Sequence, residues 1–457
     1  MAQVWLKPHR APSTLSCQRR AMQWSLATLC LGALVQALAG NTDDVPIVGG
    51  NFVMKWVKDI PVPNKPGFAQ FPPEFPEQLV LTSFNPAPKI FGGKNAVYML
   101  NFTEGASGEA LELPGSTDID WPNAATGVEA SVFGFPALVI GGGFLVPGHS
   151  KGGIFVMEAS PSPKKLDHPV KITKDIPGSL TEASWFYHFG YLVDMNGDGL
   201  QDIVTSRCQY GVLPISHKQG ELVWLEQPAA EPLSGKAWKE HTLTPGPDFL
   251  FCVHPNSKDA ATLALVAPEY LEQKVVYYYM KDGVMQSRVL DEQSGPGFAC
   301  SWADLNNDGH LDLLVTNHLN QNGSVYAYSF DDDDLVTAKV DRHVLAGNFS
   351  AIDTKTGTAS PGDAFAFHPK VDAKHEKPHI FLSGDNSNEI FVLVPKSTKT
   401  GDWTYTTQKL ADVNADVGRP AIADTDHDGF ADVYVPAFDR NVLVHYEFSS
   451  AASVLVV

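Results

Sequence analysis

Basic residues are scarce in this chain: 33 Lys and Arg stand against 52 Asp and Glu, a net charge of −19. A surface of that sign repels phosphate, which argues against nucleic acid as a partner. Cysteine is scarce as well, with five in 457 residues and only Cys208, Cys252 and Cys300 beyond residue 39. Three cysteines allow at most one disulfide and one free thiol, so no disulfide framework can replace a hydrophobic core. No segment after residue 39 supplies the run of ~20 apolar residues that a membrane-spanning helix needs. Histidines do not fall at the short spacing of an open zinc site, and Gly141 to Gly143 lack the Lys and Ser/Thr of a phosphate loop.

The first 39 residues are different in kind. They carry Lys7, Arg10, Arg19 and Arg20 with no acid, then an apolar run from Trp24 to Leu38 and the small residues Ala37 and Ala39. This is the profile of a signal peptide over residues 1–39, cleaved before Gly40; a retained N-terminal anchor is the alternative. Removal takes four basic residues and leaves 29 − 52 = −23 for residues 40–457. The sequons at Asn101, Asn322 and Asn348 agree with export. The mature protein is expected to be secreted, extracellular and monomeric, with no membrane span.

What the sequence does have is one acidic loop three times over. "DMNGDGLQDIV" begins at Asp194, "DLNNDGHLDLLV" at Asp304 and "DTDHDGFADVYV" at Asp424. Oxygen-bearing side chains at positions 1, 3, 5 and 9 with Gly at position 6 are the spacing of ligands folded around a hard cation such as Ca²⁺. An EF-hand is excluded, because position 12 is Thr205, Val315 or Val435 instead of Glu, and no helix pattern follows. Each loop runs instead into a β-branched, strand-like segment.

The loops are 110 and 120 residues apart, about twice the length of one four-stranded propeller blade. A degenerate blade is therefore expected in each gap. "FCVHPNSKDAATLALVAPEY" and "FAFHPKVDAKHEKPHIFLSGD" fill them, with His254 and His368 in the place of the first Asp and the ligand pattern lost. Extending the register backwards centres seven second strands on Leu79, Leu138, Ile203, Leu263, Leu313, Ile380 and Val433, at intervals of 50 to 67 residues. The fold class is all-β: a seven-bladed β-propeller with four-stranded antiparallel blades. The last blade lacks a clear fourth strand, whereas "WVKDIP" at Trp56 to Pro61 shares "KDIP" with the outer strand of the second blade. The N-terminal segment is thus predicted to complete the seventh blade and leave no open edge. The acidic run Asp331 to Asp334 reads as a solvated turn.

A propeller with "DxNxDGxxD" loops between its first and second strands, and a Phe189-Gly190 pair ahead of one of them, resembles the FG-GAP/VCBS repeat family, with its integrin-alpha-like calcium loops. The resemblance covers residues 45 to 457 as architecture, and its specific motifs occupy three blades. It implies three Ca²⁺ sites: side chains of Asp194, Asn196, Asp198 and Asp202 with the carbonyl of Leu200; Asp304, Asn306, Asp308 and Asp312 with that of His310; and Asp424, Asp426, Asp428 and Asp432 with that of Phe430.

Such propellers include adhesion heads, sugar-binding lectins, polysaccharide lyases and sugar dehydratases, so the fold leaves the function open. The expected ligand surface is the opposite face, where second and third strands connect. Those connections carry His149, Lys151, Arg207, Tyr210, His217, Lys218, Tyr270, His318 and Arg440, a mixture suited to polyhydroxyl or carboxylated ligands. The leading expectation is a module that binds glycans or extracellular proteins. The alternative is an enzyme acting on acidic or oxidised carbohydrate by elimination or dehydration, with Arg207 neutralising a carboxylate and Tyr210 or His318 as base.

Overall fold

The structure, a computed structural model, describes residues 44–87, 93–103, 108–144, 152–176, 184–210, 218–353, 355 and 357–451, without the side chain of Tyr210. The signal-peptide assignment lies outside these residues. Seven antiparallel sheets succeed one another along the chain. The first blade runs Pro66–Gln70, Gln78–Ser83, Ala96–Asn101 and Leu111–Glu112. The second runs Ala125–Val128, Ala137–Gly142, Gly153–Glu158 and Val170–Lys171. In the third, a divided first strand (Phe186–Tyr187 and Tyr191–Val193) precedes Asp202–Tyr210, Lys218–Glu226 and Lys239–Pro245.

The fourth blade comprises Cys252–Val253, Ala264–Glu269, Lys274–Lys281 and Val284–Asp291, and the fifth Gly297–Ala303, Asp312–Asn317, Gly323–Phe330 and Val340–Phe349. Ala364–Phe367, His379–Ser383, Glu389–Pro395 and Tyr405–Asp412 form the sixth. The seventh takes Ala421–Ala423, Asp432–Ala437 and Val442–Ser450 from the end of the chain and Phe52–Pro61 from its beginning. Val45–Pro46 adds a short fifth strand outside it, which the sequence did not reveal.

The burial pattern explains why the second strands are continuous apolar runs. Each is covered on both faces by neighbouring blades, so "ALVIGG", "DLLVTN" and "DVYVPA" are buried at every position. Outer strands such as "VMQSRVLD" are largely exposed and carry charge. The core is accordingly a set of layers between blades. One layer joins Phe381, Val392 and Leu410 of the sixth blade to Val433, Val444 and Phe448 of the seventh.

The closing strand pairs along its length with Val442–Ser450, from Phe52 opposite Ser450 to Pro61 opposite Val442, with one bulge between Trp56 and Lys58. Arg440 clamps it by an ion pair with Asp59 and by donating to the Val413 carbonyl at 3.0 Å. A second closure lies nearer the axis. There the Arg419 N–H donates to the Gly67 carbonyl, and the Ala69 N–H to the Arg419 carbonyl. Gly418 permits this approach, since a Cβ there would collide with the Gly67 oxygen. Cys252 and Cys300 form a disulfide between the first strands of the fourth and fifth blades, and Cys208 is a buried free thiol. On a chain-entropy account, closing a 48-residue loop stabilises by about 4 kcal/mol.

Deleting residues 44–61 should destabilise the whole propeller. Val53, Met54 and Ile60 are buried in the closed ring, and burial of each contributes about 1.5–3 kcal/mol. The truncated chain is expected to unfold at a markedly lower denaturant midpoint, by on the order of 5 kcal/mol. An unchanged midpoint would mean that the strand is a tail.

Candidate functional site

Antiparallel succession fixes two faces. Connections from first to second and from third to fourth strands emerge on one; those from second to third strands, and from each blade to the next, emerge on the other. The three acidic loops occupy the first face, each between a first and a second strand.

Three internal hydrogen bonds recur in all three. The carboxylate at position 1 accepts the N–H of the position-6 glycine: Asp194 from Gly199 at 2.9 Å, Asp304 from Gly309 at 2.8 Å and Asp424 from Gly429 at 3.1 Å. Position 5 accepts from position 7, at 2.8 Å for Asp198 and Leu200, 2.9 Å for Asp308 and His310, and 2.8 Å for Asp428 and Phe430. Position 9 is buried and accepts the N–H of position 2, as in Asp202 from Met195, Asp312 from Leu305 and Asp432 from Thr425. The position-6 glycines have φ of 84°, 91° and 91°, a conformation that L side chains rarely adopt.

The donor set fits a hard cation. In the third loop, carboxylate oxygens of Asp424, Asp426 and Asp432 lie within 4.8 Å of one another, as do those of Asp426, Asp428 and Glu447. Glu447 is a residue that loop spacing could not disclose; it lies directly across the ladder from Asp432. Asn306 Oδ1 and Asp424 Oδ1 are buried without a hydrogen-bond partner, and Asn306 is only 3% exposed. An acceptor in that position costs free energy unless something electropositive meets it. Burial, with the charges of Asp308 and Asp304 adding to it, pushes Asp312 up to about 7. His254 and His368 fall on this same face in the connections of the two degenerate blades; His254 packs edge-on against Trp302 at 4.9 Å.

Two of the cationic residues expected to serve a ligand on the opposite face, Arg207 and Arg440, are otherwise engaged, and Lys218 is exposed at the start of its strand. Arg207 is 7% exposed, bound to Glu221 and Glu240 at 2.8 Å each and stacked over Trp185 at 4.3 Å. It braces the third blade and cannot neutralise a substrate carboxylate. Arg440 serves ring closure, and Tyr270 packs against Phe249 at 5.2 Å. His149, Lys151, His217 and the Tyr210 side chain lie outside the described residues.

His318 stacks at 4.2 Å on Phe298, a ring that lines a pocket. A cavity of about 170 Å³ opens at the channel mouth, lined by Phe68 and Phe84 of the first blade, Phe298 of the fifth, Asp363, Ser383 and Asp385 of the sixth, and Asp416, Arg419 and Phe438 of the seventh. Arg419 also lines a second cavity of about 180 Å³ along the axis, together with Gln70, Thr126 and the disulfide. Among the described residues, the Asp385 carboxyl meets one potential cation, His318 Nε2 at 3.6 Å. His318 cannot serve as that cation near neutral pH, because burial lowers its pKa to about 4. Its Nδ1–H donates to the Pro361 carbonyl at 3.0 Å, which leaves the Nε2 lone pair towards Asp385. Burial, reinforced by the charges of Asp416 and Asp363, therefore holds the Asp385 pKa well above the carboxylate range. Asp363 is raised by burial too, opposed by Arg419 at 3.6 Å.

The pocket is one end of an aromatic arc. Phe438 contacts Phe84 at 5.4 Å, Phe84 stacks on Trp121 at 4.6 Å, and Trp121 stacks on Phe144 at 5.3 Å. Phe144 then meets Phe249 at 6.3 Å. Sequence reasoning missed Asp363, Asp416, Arg419, Trp121 and Phe249 because it searched only one of the two sets of connections on this face; Phe84, Phe144 and Phe438 lay in the searched set, but nothing in the sequence brought them together. Asp385 was within the "SGDNSN" connection, but nothing in the sequence marked it as buried.

No family model and no curated protein matches the chain. Among solved structures it is similar to an oligogalacturonate lyase from Vibrio parahaemolyticus, at 10% identity over 88% of this chain and 95% of that one, with a TM-score of 0.44. A putative 6-phosphogluconolactonase from Bacteroides uniformis matches at 14% identity over 79% and 91%, TM-score 0.43. The PQQ-bound aldose sugar dehydrogenase from Streptomyces coelicolor matches at 10% over 89% and 100%, TM-score 0.38. Likeness at this distance carries nothing about chemistry.

Because folding raises the Asp385 pKa above its ordinary 3.8, the native state keeps a proton that the unfolded chain gives up. The associated stability is intact below that ordinary value and is lost as pH rises through the raised one. Asp385→Asn fixes a neutral side chain there. Wild type and variant should melt together at acid pH and diverge as pH rises, with the variant the more stable; parallel melting curves across pH would refute the raised pKa.

Proposed function

We propose that this protein is an exported, calcium-stabilised propeller of the FG-GAP/VCBS type that binds carbohydrate at the channel mouth opposite its acidic loops. The observation that carries the binding reading is the mouth pocket. Carboxyl oxygens from two blades open onto a space ringed by four phenyl groups. Rings supply the flat apolar faces of a sugar with a partner, and oriented carboxyl oxygens receive its hydroxyls, the combination of apolar lining and few placed polar groups typical of small-ligand sites. Export is supported by the disulfide, since such bonds persist in oxidising compartments.

Calcium is supported by the common wiring of the three loops and by the orphaned acceptors on Asn306 and Asp424. Its ligands would be the side chains and carbonyls named from the sequence, with Glu447 added in the third loop. The ion's part is structural: it would offset repulsion among carboxylates and fix each turn ahead of a buried second strand.

A second reading has one observation in its favour. Asp385 and Asp363 share one pocket in unlike surroundings: burial raises the pKa of both, but only Asp363 has a cation, Arg419, opposing the rise, and unlike surroundings are how paired carboxyls divide acid and base roles. Elimination beside a uronate, the enzyme reading raised by the sequence, fits less well. It requires a free cation, and the pocket's guanidinium already faces Asp363.

Chelation of the metal-stripped and calcium-reloaded protein should lower the melting temperature. A site occupied at a hundredfold excess over Kd contributes about 2.7 kcal/mol. Asp198→Ala, Asp308→Ala and Asp428→Ala should each remove part of the calcium response, whereas His254→Ala and His368→Ala should retain it. Indifference to chelator would leave the loops as turns without metal. For the mouth, a broad glycan array should return binders that Phe84→Ala weakens roughly tenfold or more. An array without binders would remove the carbohydrate reading, and conversion of bound glycans that Asp385→Asn abolishes would favour the enzyme.

A further inference from the structure

The mouth pocket selects by charge as well as by shape. Asp363, Asp385 and Asp416 line it against one guanidinium, that of Arg419. Charged groups at its edge come in pairs that cancel, Lys65 with Asp439 at 2.6 Å and Lys355 with Asp353. His318, with its Nδ1–H committed to the Pro361 carbonyl, presents only a lone pair. Asp416 receives a hydrogen bond from the Asn386 side chain but gains no cation by it. The Asp363 side chain is 5% exposed, and among the described residues its carboxylate accepts no hydrogen bond; the nearest cation is Arg419 at 3.6 Å. A buried carboxylate with free lone pairs gains from a donor that carries positive charge. Phe68, Phe84, Phe298 and Phe438 border the same space, and ring faces attract cations, as Lys65 over Phe438 at 4.5 Å already illustrates.

We propose that the pocket takes the protonated amine of an amino-sugar residue, an inference that rests on the carbohydrate reading and sharpens it. The volume of about 170 Å³ admits one six-membered ring, since a cavity of about 150 Å³ accepts benzene. A uronate would bring a fourth carboxyl group into a site that already holds three. An N-acetylated unit would present a neutral amide in place of the cation. Trp121 is 6% exposed, with Phe84 and Phe144 stacked on its ring, so beyond the pocket the arc offers the half-buried Phe144, one further ring for a neighbouring unit of a glycan chain that a flexible alkylammonium lacks.

The test is titration calorimetry on the full folded protein with calcium present, at neutral pH, using five probes: the trimer of glucosamine, its N-acetylated counterpart, cellotriose, trigalacturonate and trilysine. The glucosamine trimer should bind at least roughly tenfold more tightly than cellotriose and the N-acetylated trimer, and trigalacturonate should not bind. The variant Asp363→Asn/Asp416→Asn should lose at least about tenfold in affinity for the glucosamine trimer while keeping a calcium-dependent rise in melting temperature as its control for folding. Equal affinity for cellotriose and the glucosamine trimer would overturn the charge selection and leave carbohydrate binding standing. Tighter binding of trigalacturonate would do the same. Failure of all four sugars would overturn both, and trilysine binding as well as the glucosamine trimer would reassign the pocket to basic peptides. The comparison among ligands on the wild type decides the matter even if the double variant does not fold.

Discussion

Everything in this molecule depends on closing the ring. A propeller blade cannot bury its two faces alone; each takes its cover from the blades on either side, so an unclosed array would expose two large apolar sheets and two edges. The chain solves this by carrying its first strand to the last blade. Ladder hydrogen bonds from Phe52 to Pro61, the Arg440 clamp and the Met54 and Ile60 side chains all act at that seam. Arg419 forms the seam's inner half through its backbone, beside the axis.

Closure also accounts for the distribution of charge. Strand interiors leave little room for polar groups, so a chain with an excess of acids has to place them in connections or at the ends of strands. On one face they gather in the three loops at close range, an arrangement that favours a divalent ion. On the other they are few but buried, around a pocket with one guanidinium. On the proposed reading the first arrangement suits a held ion and the second a ligand that comes and goes, because the second lines a cavity at the mouth.

Much of the fold was legible because its signals are local and repeated. Three loops in register set the repeat length, the continuous apolar second strands located the blades between them, and the echo of "KDIP" identified the closing strand. All seven centres fall in second strands or, for Leu263, one residue ahead of one. The ligand face was less legible for a physical reason. Its pocket is assembled from four blades, so its members are separated by up to 371 residues, from Gly67 in the first blade to Phe438 in the last, and no spacing rule connects them. Burial was equally invisible: Arg207 and His318 look alike as polar loop-end residues, yet one is locked between two glutamates and the other stacks on Phe298 beside Asp385.

The pocket and the seam occupy the same place. Phe68 and Phe84 belong to the first blade, Asp416 and Arg419 to the segment entering the seventh, and the inner closure runs between them through Gly67 and Gly418. A ligand held there would touch both sides of the joint. Its binding free energy would then be added to the cohesion of the ring, since a ligand that binds only the closed state stabilises that state by mass action. Calcium would reinforce individual blades from the opposite face. On the proposed reading, the two faces thus act on different elements, the ions on turns within single blades and the sugar on the contact between the first blade and the last.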